Sequence, residues 1–419
     1  MSGLVIRNVI LNGKKVDVTV VGNRFDSIAP AGQLQPSGDS VVEVIEAEGM
    51  AILPPFYNAH THAAMSLLRG YADDMPLFKW LSEYIWPYEE TLTAEDIRLG
   101  TRLAALEMIK SGTVFFNDMY FAIGETIDVV DKMGLRAAIG VTMMENHGLA
   151  VRAKKLDLIG SWQDPTGGRV QITVAPHAIY TVGTDLLKLS ADVARKAGIS
   201  LHIHLSETQQ EVEDCIRDHG TTPVRYLDSI GFLGPDVIAA HCVHVDDGEM
   251  EILARRGVTV VHNPCSNMKL SSGIFKAGSF AESGCRVTIG TDGCSSNNNL
   301  DMHEEMKFAA LLAKCSSSPE TLPAPLALKW ATEAGAEAFG IDAGTIETGR
   351  LADAILVDLR SERLLPGHNL ISDWVYAADS SCIDTVICDG RVLMRHHHVP
   401  GEEEILSDVA EYAKRHSKQ

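Results

Sequence analysis

Short apolar segments alternate with helical stretches through the middle of this chain, and that alternation limits the fold more than any other feature. Strand candidates cover residues 51–59, 113–117, 136–144, 170–175, 200–205, 237–240, 259–261 and 286–289. Residues 93–110 show the helical texture between them. Leu99, Leu103 and Leu106 share one face, Thr93 is placed to cap the start, and Gly112 follows the end. Eight strands alternating with helices predict an α/β fold, a (β/α)8 barrel of the TIM type, whose site gathers at the C-terminal ends of the strands.

The two ends of the chain have a different texture. Residues 4–52 hold short alternating apolar runs, with Asn12-Gly13 and Gly22-Asn23 where hairpin turns belong. The segments "GRLADAILVDL" and "DTVICDGRVLM" repeat this pattern near the other end. Both ends are therefore expected to pair into one small β-sandwich beside the barrel. The expected division is 1–53 for the first part of the sandwich, 54–348 for the catalytic barrel, and 349–419 for the rest of the sandwich with a terminal helix.

Composition removes several function classes. A net charge of −20 argues against binding a phosphate backbone, so no nucleic-acid partner is expected. No apolar run is long enough to span a membrane, and the first residues carry no signal-like pattern. The eight cysteines show no C-x-x-C spacing, which fits a reduced, cytoplasmic protein. The oligomeric state stays open, a homo-oligomer included.

The polar residues that end the strands carry the chemistry. "ILPPFYNAHTHAAM" places His60 and His62 one residue apart, so both imidazoles of an extended strand point to one face. By itself this is either half of a metal site or a solvated strand end. Strand five, "SLHIHLSE", adds His204 and Glu207; strand six, "VIAAHCVHV", adds His241; strand eight, "VTIGTDG", adds Asp292. Each has an ordinary structural explanation alone, but a barrel brings all of them to one mouth. Three histidines and an aspartate then form a nitrogen and oxygen set suited to a divalent metal. His204 is preferred over His202 as the ligand because it lies nearer the strand end, and His241 is preferred over His244 on strand alternation. The run His396–His398 follows a β pattern at a turn and reads as a solvated hairpin.

With these residues in hand, the chain resembles the amidohydrolase superfamily, in its chlorohydrolase-like group of aromatic deaminases. "NAHTHAAMSLLRGYADD", "HIHLSET", "AAHCVHVDD", "HNPCSNMKL" and "GTDGCSSNNNLDMHEEM" carry the resemblance over nearly the whole chain. It is nearest to the 5′-methylthioadenosine/S-adenosylhomocysteine deaminases. The resemblance implies that His60, His62, His204 and Asp292 bind one metal, usually zinc, with Glu207 and His241 flanking the water it activates. "RVQITVAPHAIY" on strand four contains no lysine to bridge a second metal. By the same resemblance Glu89 accepts ribose hydroxyls and His177 contacts the purine, while Trp80 or Trp86 either walls the nucleoside pocket or packs its helix.

The implied reaction is hydrolytic deamination of an adenine nucleoside. Asp292 would take a proton from the activated water, His241 would orient that water, and Glu207 would protonate the ring nitrogen beside the attacked carbon. A deaminase or chlorohydrolase of a free base or triazine is the alternative, and a catalytically dead barrel used for binding is a third. Relatives that handle S-adenosylhomocysteine can carry an arginine near the end of strand three. Here "GLRAAIGVTMMEN" puts Val141 at the expected place, with Arg136 at the wrong end of the strand and Arg152 in the next loop. An apolar wall there predicts a preference for uncharged 5′ substituents, unless Arg152 folds over the mouth.

Overall fold

The structure, a computed structural model, describes residues 3–33 and 42–416. The chain opens with β1 (Gly3–Leu11), β2 (Lys14–Val21), β3 (Arg24–Pro30), β4 (Val42–Glu46) and β5 (Met50–Leu53). Asn12 and Gly13 have φ of 49° and 74°, so the turn between β1 and β2 is the two-residue kind that follows strand twist; Gly22, at φ 64°, opens the next one. Residues 51–59 are not one strand. Pro54 and Pro55 cannot donate to a ladder, so the run divides into β5 and β6 (Phe56–Thr61).

From β6 the barrel continues through β7 (Thr113–Asp118), β8 (Arg136–Met143), β9 (Val170–Pro176), β10 (Leu201–Leu205), β11 (Val237–His241), β12 (Thr259–His262) and β13 (Arg286–Ile289), each parallel to the next. The helix Ala94–Lys110 is capped at Thr93 by a reciprocal pair of hydrogen bonds with Asp96, while Leu103 is only half-buried on its face. β13 meets β6 through side chains. Asn58 donates to Thr291 Oγ1 (2.7 Å) and accepts from the Thr291 backbone N–H (3.0 Å), and the Asp292 N–H donates to the His60 carbonyl (3.0 Å). Gly290 permits this approach, because a Cβ there would stand 2.8 Å from His60 N.

The chain then returns to the first sheet with β14 (Ala354–Asp358), β15 (Ile383–Cys388) and β16 (Arg391–Met394). The strands from both ends form one continuous sheet, in the order β16-β15-β14-β5-β1-β2-β3, with β4 also paired to β1. β1 can serve three neighbours because its register shifts between Ile6 and Val9. The sheet wraps a core of its own that includes Ile6, Val18, Phe25, Ile52 and Leu356. A buried polar knot ties it to the barrel: Arg136 at the start of β8 pairs with Asp353 (3.0 Å) and Asp389 (2.5 Å), and Tyr57 Oη donates to Asp353 (2.9 Å). His396–His398 forms a turn after β16, with His398 beside Glu402 of the C-terminal helix Glu402–His416 (3.2 Å). Among the described residues no helix is long and apolar enough to cross a membrane, and all eight cysteines are free thiols.

Candidate active site

The C-terminal ends of β6, β10, β11 and β13 place their polar residues around one point, each backbone forced there by a local device. His241 ends β11 at φ 74°, and Asp292 follows β13 at φ 60°; Ser206, after β10, has φ 50°. Left-handed backbone is costly for such residues and persists where surrounding bonds hold it. After β10 the bonds come from Glu211, whose buried carboxylate accepts from the Ser206 N–H (2.9 Å) and the Glu207 N–H (2.8 Å). This turn sends Glu207 toward the centre.

Each histidine uses one ring nitrogen outward and presents the other inward. Nδ1 of His62 bonds the Met119 carbonyl (2.7 Å), Nδ1 of His204 the His177 carbonyl (2.8 Å), and Nδ1 of His241 faces Asn267 Oδ1 (2.8 Å). His60 Nδ1 lies 2.9 Å from His202 Nε2, so His202 supports the cluster from behind. The inward Nε2 atoms then converge. His62 Nε2 is 3.2 Å from Asp292 Oδ1 and 3.3 Å from His204 Nε2. Ser266 Oγ donates to Asp292 Oδ2 (2.6 Å), and the Gly293 N–H donates to Oδ1 (2.8 Å). Two overlapping donor sets, His60/His62/Asp292 and His60/His204/His241, each lie within 4.8 Å.

A divalent cation fits these donors. His60 Nε2 is buried and has no hydrogen-bond partner among the described residues, an arrangement that buried polar atoms avoid unless something else satisfies them. Burial lowers the His60 pKa to about 4, which leaves that ring neutral; at His62 burial is outweighed by Asp292, which raises it to about 9, a proton that a bound cation would displace. Burial opposes charge on Asp292 as well, yet the His60 and His62 imidazoles beside it hold its carboxyl well below the usual range. Outward bonds that fix ring orientation are the usual support for histidine ligands.

Glu207 sits beside the cluster, with Oε2 3.8 Å from His241 Nε2 and Oε1 accepting from Ser272 Oγ (3.1 Å). Burial raises its pKa, and the Asp292 charge adds to that, against the opposing effects of His241 and Ser272. A carboxyl shifted up and a carboxyl shifted down therefore share one site, the pairing that separates an acid from a base.

The cluster forms the floor of a cavity of about 600 Å³. His62, His204, His241, Asp292 and Glu207 line it, as do His177, Glu89, Trp80 and Trp86. Trp80 is buried and anchored by its indole N–H to the Ala72 carbonyl (3.0 Å). His177 faces Thr181 Oγ1 through Nδ1 (2.9 Å). Burial raises the Glu89 carboxyl to about 7, and the Tyr120 hydroxyl beside it acts in the opposite direction.

Val141 does not reach the cavity. It is 1% exposed and belongs to the barrel core, while the end of β8 meets the cavity through Thr142 and, beyond the strand, Met144, Glu145, Asn146 and His147. A one-residue shift in strand register reverses which face a side chain takes, so the expected apolar wall is largely polar. Arg152 pairs with Glu145 Oε1 (3.0 Å) and lines an adjoining groove with Gly183 and Asp185. Arg136 lies at the opposite end of β8, in the knot with Asp353.

Reasoning from the sequence missed the supporting groups His202, Glu211, Ser266, Asn267 and Ser272. The quoted segment "HNPCSNMKL" contains two of them, and its position after the seventh barrel strand was the available signal.

Comparison with known proteins gives a consistent picture. The sequence profile of the Amidohydrolase family matches residues 51–393. A protein of Pelotomaculum thermopropionicum named 5-methylthioadenosine/S-adenosylhomocysteine deaminase is 46% identical over 405 residues, 95% of this chain and 93% of that one. A 5′-deoxyadenosine deaminase of Methanosarcina mazei is 44% identical over 383 residues, 90% of this chain and 89% of that one. Among solved structures, a zinc-bound adenosine deaminase from Xanthomonas campestris superposes with a TM-score of 0.91 at 31% identity, covering 99% of this chain and 98% of that one.

Proposed function

The chain belongs to the amidohydrolase family, and from that premise we propose that it is a metal-dependent enzyme that deaminates adenine nucleosides to inosine analogues and ammonia. The carrying observation is the buried His60 Nε2, which makes no hydrogen bond among the described residues and lies 3.3 Å from Asp292 Oδ1, behind His62, His204 and Asp292 in the wall of a cavity that also holds Glu207 and Glu89. The names of the relatives support the nucleoside: two are deaminases of 5′-modified adenosines, and the Xanthomonas enzyme is an adenosine deaminase with zinc.

Our reading assigns one divalent ion, zinc, to His60, His62, His204 and Asp292. When bound, such an ion supplies Lewis acidity that brings proton loss from water toward neutral pH. Asp292 takes that proton, and His241 orients the attacking water between Asp292 and Glu207. Glu207 gives its proton to N1 of the purine, which makes C6 electrophilic. Water oxygen then bonds to C6. The C6–N bond breaks as Asp292 passes its proton to the leaving amine and the C6 hydroxyl returns its own proton to Glu207, so ammonia departs and the 6-oxo hypoxanthine ring remains. His177 and Trp80 hold the base, and Glu89 accepts the ribose hydroxyls.

Glu89 separates this reading from a free-base or triazine hydrolase, because neither substrate has a sugar to satisfy a carboxylate in the cavity wall. An ammonia-release screen over adenosine, 5′-methylthioadenosine, S-adenosylhomocysteine, free bases and chlorotriazines tests it. Turnover confined to the nucleosides is expected; turnover confined to bases or triazines overturns it.

A further inference from the structure

Glu89 ends a helical stretch, residues 77–89, that roofs the cavity and belongs to a small apolar cluster separate from the barrel core. Leu77, Leu81, Ile85 and Glu89 line the cavity at four-residue spacing. An α-helix drifts by about 40° over four residues, so such a row would wind away from the cavity. The segment Leu81–Ile85 is a π turn, wider than an α turn, and it takes back part of that drift. The orientation of Glu89 thus depends on how this irregular helix is held at its far end.

The residue before Glu89 is the handle. Tyr88 does not line the cavity; its ring packs on Tyr71 (4.6 Å between centroids), and its hydroxyl lies 2.9 Å from that of Tyr412. Tyr412 comes from the C-terminal helix Glu402–His416 and is 4% exposed. That helix is tied to the barrel helix Ala94–Lys110 by Arg102 to Glu404 (2.9 Å), Arg102 to Asp408 (2.6 Å) and Lys110 to Glu402 (2.9 Å). A connected path therefore runs from the barrel, through the C-terminal helix, to the residue beside the proposed ribose acceptor.

We propose that Tyr412 is a positioning residue of the nucleoside site: through the Tyr88 hydroxyl, the C-terminal helix sets the orientation of Glu89 toward the ribose. The inference rests on the reading of Glu89 as ribose acceptor, and its test separates the two. The readout is the ratio of kcat/KM for adenosine to that for 2′,3′-dideoxyadenosine, which differs only in the sugar hydroxyls. Tyr412→Phe removes one hydroxyl and keeps the ring. It should lower this ratio by about three- to tenfold, through KM for adenosine, with kcat within about twofold and metal content unchanged. Tyr88→Phe should do the same, and the double variant should lose nothing more, since both changes break one contact.

Single variants with an unchanged ratio, or with equal losses on both substrates, overturn the inference. Glu89→Ala is the reference. If it collapses the ratio while Tyr412→Phe leaves it intact, the positioning role alone fails. If Glu89→Ala leaves the ratio intact, the ribose reading fails and the positioning role falls with it.

Discussion

His60 Nε2 lies 3.3 Å from Asp292 Oδ1, a buried imidazole nitrogen and a buried carboxylate oxygen brought together from the first and last strands of the barrel. The approach depends on the glycine at 290, which lets the last strand run against the backbone of His60. Because the two residues share one proposed cation, His60→Ala and Asp292→Ala should each lose bound metal and activity together. Metal analysis beside turnover checks this. A variant that keeps full metal occupancy but no activity would move that residue from ligand to another role.

We read Glu207 as the acid. Glu207→Gln keeps size and hydrogen bonding but cannot deliver a proton, so turnover should fall by about 10²–10⁴-fold while metal content and melting temperature hold. A glutamine variant with near-native turnover would mean that the ring proton comes from elsewhere.

Glu89 predicts a pH dependence. Burial raises its carboxyl to about 7, so the ionised form that we propose accepts ribose hydroxyls is lost as pH falls through 7. KM for adenosine should therefore rise between pH 8 and pH 6, and Glu89→Gln, which has nothing to ionise, should flatten that rise. A profile as steep in Glu89→Gln as in the native enzyme would assign the titration to another group.

The end of β8 bears on the 5′ substituent. Glu145 faces the cavity and already engages Arg152, with Gly183 N–H and Arg152 holding its carboxyl below the usual range. The amino-acid carboxylate of S-adenosylhomocysteine would meet that negative charge. We expect kcat/KM for 5′-methylthioadenosine or adenosine to exceed that for S-adenosylhomocysteine, and Glu145→Gln to narrow the gap a few-fold. A clear lead for S-adenosylhomocysteine in the native enzyme would contradict this.

The sequence was most legible where a polar residue interrupts an apolar run. His60, His62, His204, His241 and Asp292 each lie at or just past the end of a barrel strand, and strand ends at a barrel mouth leave little freedom for where such residues point. What resisted reading lies across the sequence. Asn267, Ser266 and Ser272 act on groups from 26 to 65 positions away, from the short helix Pro264–Lys269 and the turn after it, too short for periodicity to describe. Val141 failed for another reason: a period of two names a face only once the strand's end is known, and β8 stops at Met143. Both chain ends do pair beside the barrel, in one branched sheet in which β1 meets β2, β4 and β5, a branching that no local pattern announces. The Tyr88–Tyr412 pair spans 324 positions, and neither tyrosine carries a local signal of it.

The central claim is a one-metal hydrolytic deaminase of adenine nucleosides. Its most direct test is to strip the protein of metal, return zinc in measured fractions, and follow ammonia and 5′-methylthioinosine formed from 5′-methylthioadenosine. The account predicts no turnover at zero zinc, a linear rise, and a break at one equivalent per chain, with ammonia and the inosine analogue formed in equal amounts. Undiminished turnover in the stripped protein, or a break at two equivalents, would contradict it.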